Sequence, residues 1–314
     1  MAQSIGIDYT PGQWKVCQVE RGQTTALHVF NRADDMLETM RQLCAHYPEQ
    51  TIAVSLDVST PFLPLSTLSD EQLEALVQRY HPTPAFLEVT AALRALRALS
   101  SRSYCAPSVE YVPTVPLYRY LLRPALGNAR ELCVVATLLH YMCEQRASWE
   151  EMNFFCVNAS ESGTSVLVVV NGQVVNGIDV LQGSTLPVAY AYLADLESRQ
   201  ESVTSEEVTN EALQQALDEA FWEGLTQELS GLLAIHHLED IVVLGQRSSR
   251  LVERLADSYQ VYLFPHAHTE REGYEAALGA ALLAEGLEKE GSSAAVVERL
   301  HIRQATRKLL ISNP

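Results

Sequence analysis

A two-lobed α/β protein, each lobe a mixed sheet with flanking helices, is what this 314-residue sequence predicts. Three observations carry that expectation. The chain is long for one small core, and its 47% hydrophobic content against 19% charged residues supports a packed interior. Its two halves open alike, with strand, turn and strand. Each half then alternates helices with strands, a pattern that buries apolar faces best in layered sheets.

In the first half, Ile5 to Asp8 reads as a strand. Thr10-Pro11-Gly12-Gln13 follows as a turn, because proline presets φ and glycine accepts positive φ. Trp14 and Val16 alternate with Lys15 and Cys17 in a second strand, Arg21-Gly22 turns the chain again, and Leu27 and Val29 mark a third strand. Met36, Leu37, Met40, Leu43 and Cys44 recur at spacings of three and four, which predicts a helix, with Asp34 favourable in its first turn. Thr51 to Leu56 is a short apolar strand ending at Asp57. Helices are expected over Asp70–Tyr80 and Phe86–Leu99, with prolines punctuating the neighbouring loops. Four prolines between Pro107 and Pro124 predict an extended crossing segment, since proline gives no N–H to a ladder. Asn128 to Arg146 reads as a helix joining the lobes.

The second half repeats the order. Asn153 to Val157 is a strand. Val166 to Val170 and Gln173 to Val175 flank Asn171-Gly172, a pair that accepts the positive φ a type I′ hairpin turn requires. A helix is expected over Leu186–Leu196, a polar exposed stretch over 197–205, and a long helix over Glu206–Leu233. Strands at Ile241–Leu244 and Val261–Leu263 bracket a helix at Ser248–Ser258. Within the helix expected over Gly273–Leu287, Ala276, Ala277, Gly279, Ala280, Ala281 and Ala284 leave room for another backbone. Gly291-Ser292-Ser293 breaks the pattern before a closing amphipathic helix with Leu300, Ile302, Ala305, Leu309 and Leu310. Its apolar face packs on its own lobe or on a partner. The expected organisation is an N-terminal lobe over 1–125, a connecting helix over 126–150, a C-terminal lobe over 151–290 and a last helix over 291–314.

The formal charge of −17, from 39 acids against 22 Lys plus Arg, disfavours nucleic acid and anionic membrane surfaces, both of which need a basic face. Nucleotide phosphates remain accessible, because backbone N–H groups and a metal ion can hold them. No run approaches a membrane span, and the opening residues lack the basic start and long apolar stretch of a secretory signal, so a cytoplasmic location is expected. Six cysteines, mostly among apolar neighbours and without a CxxC pair, read as buried free thiols.

Several polar groups stand where chemistry needs them. Asp8 ends a strand beside a Pro-Gly turn, where it either orients a Mg2+-bound water near a phosphoryl group or caps the turn. Asp57 either accepts a proton from a substrate hydroxyl or makes an Asx turn before Pro61. In Ser160-Glu161-Ser162-Gly163-Thr164-Ser165, hydroxyls and a glycine are suited to a phosphate, though a plain loop fits equally. Gly245-Gln246-Arg247-Ser248-Ser249 joins a strand to a helix, whose N-terminus favours anions; Ser248 or Ser249 could instead serve only as its cap. His266 and His268, with Glu270 and Glu272 nearby, would share one side of an extended segment and suit zinc, but no third ligand stands out. A P-loop, a GxGxxG fingerprint, HExxH and GxSxG are all absent.

Ile5-Gly6-Ile7-Asp8 with Gly12, Val112-Pro113-Thr114-Val115-Pro116, Asn128-Ala129-Arg130-Glu131-Leu132-Cys133, Glu151-Met152-Asn153-Phe154, the Asn171-Gly172 hairpin with Gly177, and the run from Ala276 to Gly286 occur in an order familiar from one family. Together they make the chain resemble an uncharacterised, mainly prokaryotic family described as similar to butyrate kinase. That family lies within the acetate kinase, sugar kinase, heat-shock 70 ATPase and actin superfamily. The resemblance implies a ribonuclease H-like, actin-like ATPase fold that holds ATP and Mg2+ between the lobes. It implies a first phosphate loop at Thr10, Gly12 and Gln13, and a second at Ser160, Ser162, Gly163 and Thr164. Gly245, Gln246 and Arg247 would contact adenosine, Asp8 the metal, and Asp57 the acceptor, a small carboxylate or a sugar.

The loops also depart from the superfamily pattern. Thr10 stands where glycine is usual, Pro11 has no N–H to give a phosphate, and Gln246 follows Gly245 where a small residue is usual. Two functions follow as expectations: an ATP-dependent small-molecule kinase, or a non-catalytic member of the fold used in ligand binding or assembly. A homodimer is the commonest closed homo-oligomer and stays open beside the monomer.

Overall fold

The structure, a computed structural model, describes residues 3–47, 49–78, 83–123, 125–160, 163–179 and 210–306. The helix expected over Leu186–Leu196, the polar stretch 197–205, and Leu309 and Leu310 lie outside the described residues.

The first sheet contains β1 (Ser4–Thr10), β2 (Gln13–Glu20), β3 (Gln23–Phe30), β4 (Thr51–Ser55), β5 (Leu63–Pro64) and β6 (Ser103–Cys105), in the order β3-β2-β1-β4-β6-β5. β1 runs antiparallel to β2 and parallel to β4, and β4 is parallel to β6. The second contains β7 (Phe154–Ser160), β8 (Gly163–Val170), β9 (Gln173–Asp179), β10 (Asp240–Leu244) and β11 (Gln260–Leu263), in the order β11-β10-β7-β8-β9. Here β7 is antiparallel to β8 and parallel to β10. Each sheet is therefore a three-stranded meander continued by parallel strands, with the two-residue β5 added antiparallel to β6 at the edge of the first. The first hairpin closes with Thr10 opposite Gln13 and its counterpart with Ser160 opposite Gly163.

The turns follow their residues. Asn171 and Gly172 have φ of 50° and 71°, and Arg21 and Gly22 have 54° and 73°, positive at both positions as a type I′ turn demands. The segment expected to be extended before Pro124 instead carries a 3-10 turn at Val109–Tyr111 and a short helix, α4 (Leu117–Leu122). Pro116 sits just before that helix, where its missing N–H breaks no bond, and no proline follows until the helix has ended.

Among the described residues, the other α-helices are α1 (Ala33–His46), α2 (Asp70–Gln78), α3 (Thr83–Leu99), α5 (Ala129–Glu144), α6 (Asn210–His236), α7 (Ser248–Leu255), α8 (Glu275–Glu288) and α9 (Ser292–Arg299). Ile5, Ile7, Tyr9 and Trp14 pack outward against Met36 and Met40 of α1 and Val89 and Leu93 of α3. On the far side of the second sheet, Phe155, Val157, Val166 and Val168 meet Phe221, Trp222, Leu225 and Leu229 of α6. Burial of each such side chain contributes about 1.5–3 kcal/mol.

Between the sheets lie α5 and α8, paired with each other. α8 crosses β1, β2 and β4. The cluster shared by these two helices includes Phe154, Cys156, Leu167 and Val169 from the second sheet. Two glycines set this layer. A Cβ on Gly6 would stand 1.9 Å from the Ala277 carbonyl oxygen, and one on Gly279 would stand 1.8 Å from that of Cys133. The small-residue run of α8 thus admits a strand on one side and a helix on the other.

The closing segment turns Val296, Val297, Leu300 and Ile302 into the same cluster, so these residues pack on their own chain. All six cysteines are free thiols and all but Cys143 are buried; burial pushes the Cys17 and Cys105 thiols up to about 12. Among the described residues, no helix is long and apolar enough to cross a membrane.

Candidate functional site between the sheets

The period of β1 decides which side chains reach the centre. Ile5, Ile7 and Tyr9 enter the outer helical layer, with the Tyr9 and Trp14 ring centroids 4.5 Å apart. Gly6, Asp8 and Thr10 take the opposite face, toward α8 and α5. Tyr9 is therefore a core residue and does not block the space between the sheets.

That space contains a cavity of about 380 Å³. Thr10, Pro11 and Gln13 form one wall, from the first hairpin. Asn158 at the end of β7 and Gly245-Gln246 after β10 form another. Gly245 has φ of 93°, and a Cβ there would meet the Ala159 carbonyl oxygen at 2.4 Å, so the β10–α7 turn can lie tight against β7 only with glycine.

Two cations face the same cavity, Lys15 and Arg130. Lys15 Nζ donates to the Gly273 carbonyl at 2.6 Å and lies 5.7 Å from the Tyr274 ring centroid. The carboxylate side is supplied by Glu272 and Glu275. Glu275 is buried, its Oε1 accepts from the Gly273 N–H at 3.0 Å, and burial pushes its carboxyl above the ordinary value. The cavity can therefore hold an anion against Lys15 and Arg130, with hydroxyl and amide donors on Thr10, Gln13, Asn158 and Gln246.

Asp8 is 1% exposed and already engaged. Its Oδ1 accepts from Arg130 Nε at 2.8 Å and from Ser55 Oγ at 3.2 Å, and its Oδ2 accepts from Arg130 Nη2 at 3.3 Å. Burial opposes the charge on Arg130, but the neighbouring acids, Asp8 foremost with Glu131 and Asp57, together outweigh it and hold the guanidinium above its ordinary value. A divalent cation fits poorly here, because it would meet a fixed positive charge where Asp8 should offer its oxygens. Among the described residues, no three His, Cys, Asp or Glu side chains gather as a metal site.

The helix that carries Arg130 begins with a capping box: Arg130 N–H donates to Asn128 Oδ1 at 2.8 Å, and Asn128 N–H donates to Glu131 Oε2 at 2.9 Å. Asn128 Nδ2 also donates to Asp57 Oδ1, which ties the end of β4 to the start of α5. Burial and the Asp57 charge push the Glu131 carboxyl up to about 8, against the opposing pull of Arg130.

The other expected site residues are distributed as follows. Gly12 is exposed at the hairpin tip with φ of 80°. Ser160 and Gly163 pair at the end of β7–β8, Thr164 is buried opposite Ala159, and Ser162 lies outside the described residues. Arg247 turns from the cavity and stacks 4.7 Å from the Phe221 ring centroid, while its N–H donates to the Ala159 carbonyl at 3.1 Å. Asp57 is not among the cavity walls. His266 and His268 part company: His266 is buried and held down to about 4 by desolvation, whereas His268 is exposed with φ of 59°. A turn-rich segment replaces the extended one that would have aligned them.

Sequence reasoning passed over Lys15 and Glu275 and assigned no role to Arg130; it placed Asn158 at the edge of the second phosphate loop and Glu272 beside the histidine pair, not on this cavity. Of Lys15, Glu275 and Arg130, only Arg130 had a local signal, since it lies inside the Asn128-to-Glu131 capping pattern that opens α5.

A family described as "Protein of unknown function (DUF1464)" matches residues 32–311. A search of curated proteins gives no match. Among solved structures, a propionate kinase from Francisella tularensis is similar with a TM-score of 0.56 at 11% identity, over 90% of this chain and 98% of that one. Lmo2764, described as a putative N-acetylmannosamine kinase from Listeria monocytogenes, gives 0.52 at 14%, over 91% and 100%. An acetate kinase from Entamoeba histolytica gives 0.51 at 8%, over 82% and 87%. At these identities the likeness shows the fold: two mixed sheets with flanking helices, the two-lobed arrangement of the actin, heat-shock 70 and sugar-kinase ATPases.

Proposed function

We propose that this chain, which belongs to the DUF1464 family of proteins of unknown function, binds a nucleotide of the ATP type between its sheets without transferring the phosphoryl group. One observation carries the reading. The Thr10–Gln13 hairpin and the Gly245-Gln246 turn, far apart in sequence, form walls of one cavity that also presents Lys15 and Arg130. Phosphates would meet the hairpin and the two cations, and the nucleoside the Gly245-Gln246 side.

Phosphoryl transfer asks more of a site than binding. It needs charge neutralised on the transferred oxygens, an in-line acceptor and a group to take the acceptor's proton. Asp8 is committed to Arg130 and Ser55, Asp57 is held by Asn128, and Pro11 brings no N–H to the hairpin tip. Each of these weakens one requirement.

A second reading is an ATP-dependent kinase for a small carboxylate or a sugar. The backbone likeness to the propionate kinase favours it. Both readings meet in one pair of measurements on the full chain. Calorimetric titration with ATP and with ADP is expected to show saturable binding. Release of ADP in the presence of short-chain carboxylates and of hexoses is expected to stay at the level of free ATP. Absence of binding sinks the proposal, and acceptor-dependent turnover that Asp57→Asn abolishes establishes the kinase in its place.

A further inference from the structure

We propose that the cavity takes its nucleotide free of divalent metal, with the Arg130 guanidinium standing as the permanent counter-charge. This deepens the nucleotide reading and rests on it.

Asp8 leaves the C-terminal end of β1 on the cavity side of the sheet, the position from which a carboxylate could hold a phosphate-bound cation. Its oxygens are instead filled from within the protein. Arg130 gives Nε and Nη2 to them in a two-point contact, and Ser55 gives its hydroxyl to the same Oδ1. Such a paired guanidinium is geometrically fixed and stays charged throughout the accessible pH range. Arg130 nevertheless remains 19% exposed and lines the cavity. The guanidinium keeps further N–H donors beyond the two given to Asp8, and phosphate oxygens suit them. Lys15 adds a second positive charge on the same cavity.

A metal ion brought in by the nucleotide would gain little. It would lie beside a buried positive charge, and Asp8 could ligate it only by giving up Arg130. A metal-free nucleotide meets no such conflict. The pair therefore favours nucleotide without Mg2+ over its Mg2+ complex, the reverse of what a metal-binding Asp8 would produce.

The test is calorimetric titration of the full chain with ADP, once in excess EDTA and once in excess Mg2+. Binding as tight or tighter in EDTA is the expected result. Binding that appears only with Mg2+ overturns the inference and leaves the nucleotide reading standing; binding in neither condition removes both. Variants separate the roles of the pair. Asp8→Asn keeps the guanidinium and removes its counter-charge, so affinity in EDTA should rise; a folded Asp8→Asn protein that has lost binding would overturn the inference.

Arg130→Gln frees the carboxylate, so binding should fail in EDTA and return when Mg2+ is added. The double variant Asp8→Asn/Arg130→Gln leaves no buried unpaired charge. It should lose binding in both conditions while keeping the wild-type thermal midpoint more closely than Arg130→Gln alone. Undiminished EDTA binding by the double variant would show that Arg130 holds no ligand.

Discussion

Glu131 shows how one residue can serve the fold and tune its pH response. Its carboxylate oxygen caps the first turn of α5 through the Asn128 N–H, yet burial and the nearby Asp57 charge raise its carboxyl from 4.5 to about 8. The sign follows directly. Between those two values the folded protein holds a proton that the unfolded chain has released, so stability declines as pH rises through this window and levels off above it. Glu131→Gln keeps an oxygen acceptor for the cap and cannot ionise. Thermal midpoints measured from about pH 5 to about pH 9 should therefore fall in the wild type relative to the variant. Parallel curves for the two proteins would remove the assignment. At this scale, too, belongs the pairing of Asp8 with Arg130, residues 122 positions apart. No local pattern signals their contact, and only the packing of α5 beside β4 and against α8, which itself covers β1, brings it about.

At the scale of elements, α8 is the most exacting piece. Its run of alanines and glycines was readable as a surface for close backbone approach, but the partners were not. Gly279 meets α5 at the Cys133 carbonyl, and Gly6 on β1 meets α8 at Ala277. Adding a methyl at Gly279 forces two helix backbones apart, so Gly279→Ala should lower stability by about 1–3 kcal/mol or more. Gly231, exposed on α6, is the counter-case, since a Cβ there meets nothing within 4 Å. Gly231→Ala should raise stability by about 0.4–1 kcal/mol through helix propensity and a less entropic unfolded chain. Denaturant titrations of the two variants give opposite displacements of the midpoint. Equal displacements would mean that the close approach at Gly279 is not what the packing depends on. The Asn171-Gly172 hairpin, by contrast, carries its turn type in its own φ preferences, whereas at Arg21-Gly22 only the glycine favours the positive φ that both residues adopt.

For the whole molecule, the two sheets are joined through a shared helical layer and not through a linker alone. α8 comes late in the sequence yet covers β1, β2 and β4 near its beginning, and its cluster with α5 reaches into the second sheet. A fragment ending at residue 150 would thus leave Gly6 and the cavity face of the first sheet bare. Such a fragment, 1–150, should fail to fold alone, seen as poor dispersion of its amide proton resonances. A well-dispersed spectrum would show that the first sheet is stable without α8. The same layer explains the cavity, because its walls come from the first hairpin, the ends of β7 and β10, α5, and the residues leading into α8.

What the sequence alone determined is set by short-range physics: alternation for strands, three-and-four spacing for helices, positive φ for turns, and through these the two mixed sheets with their repeated order. The contacts that give the cavity its character were decided only in three dimensions. A carboxylate at a strand end looks the same in sequence whether a metal or an arginine lies opposite it, because the partner comes from a distant helix and is selected by packing. Pairing Asp8 with Arg130 is a tertiary outcome, and it fixes the charge presented to the cavity.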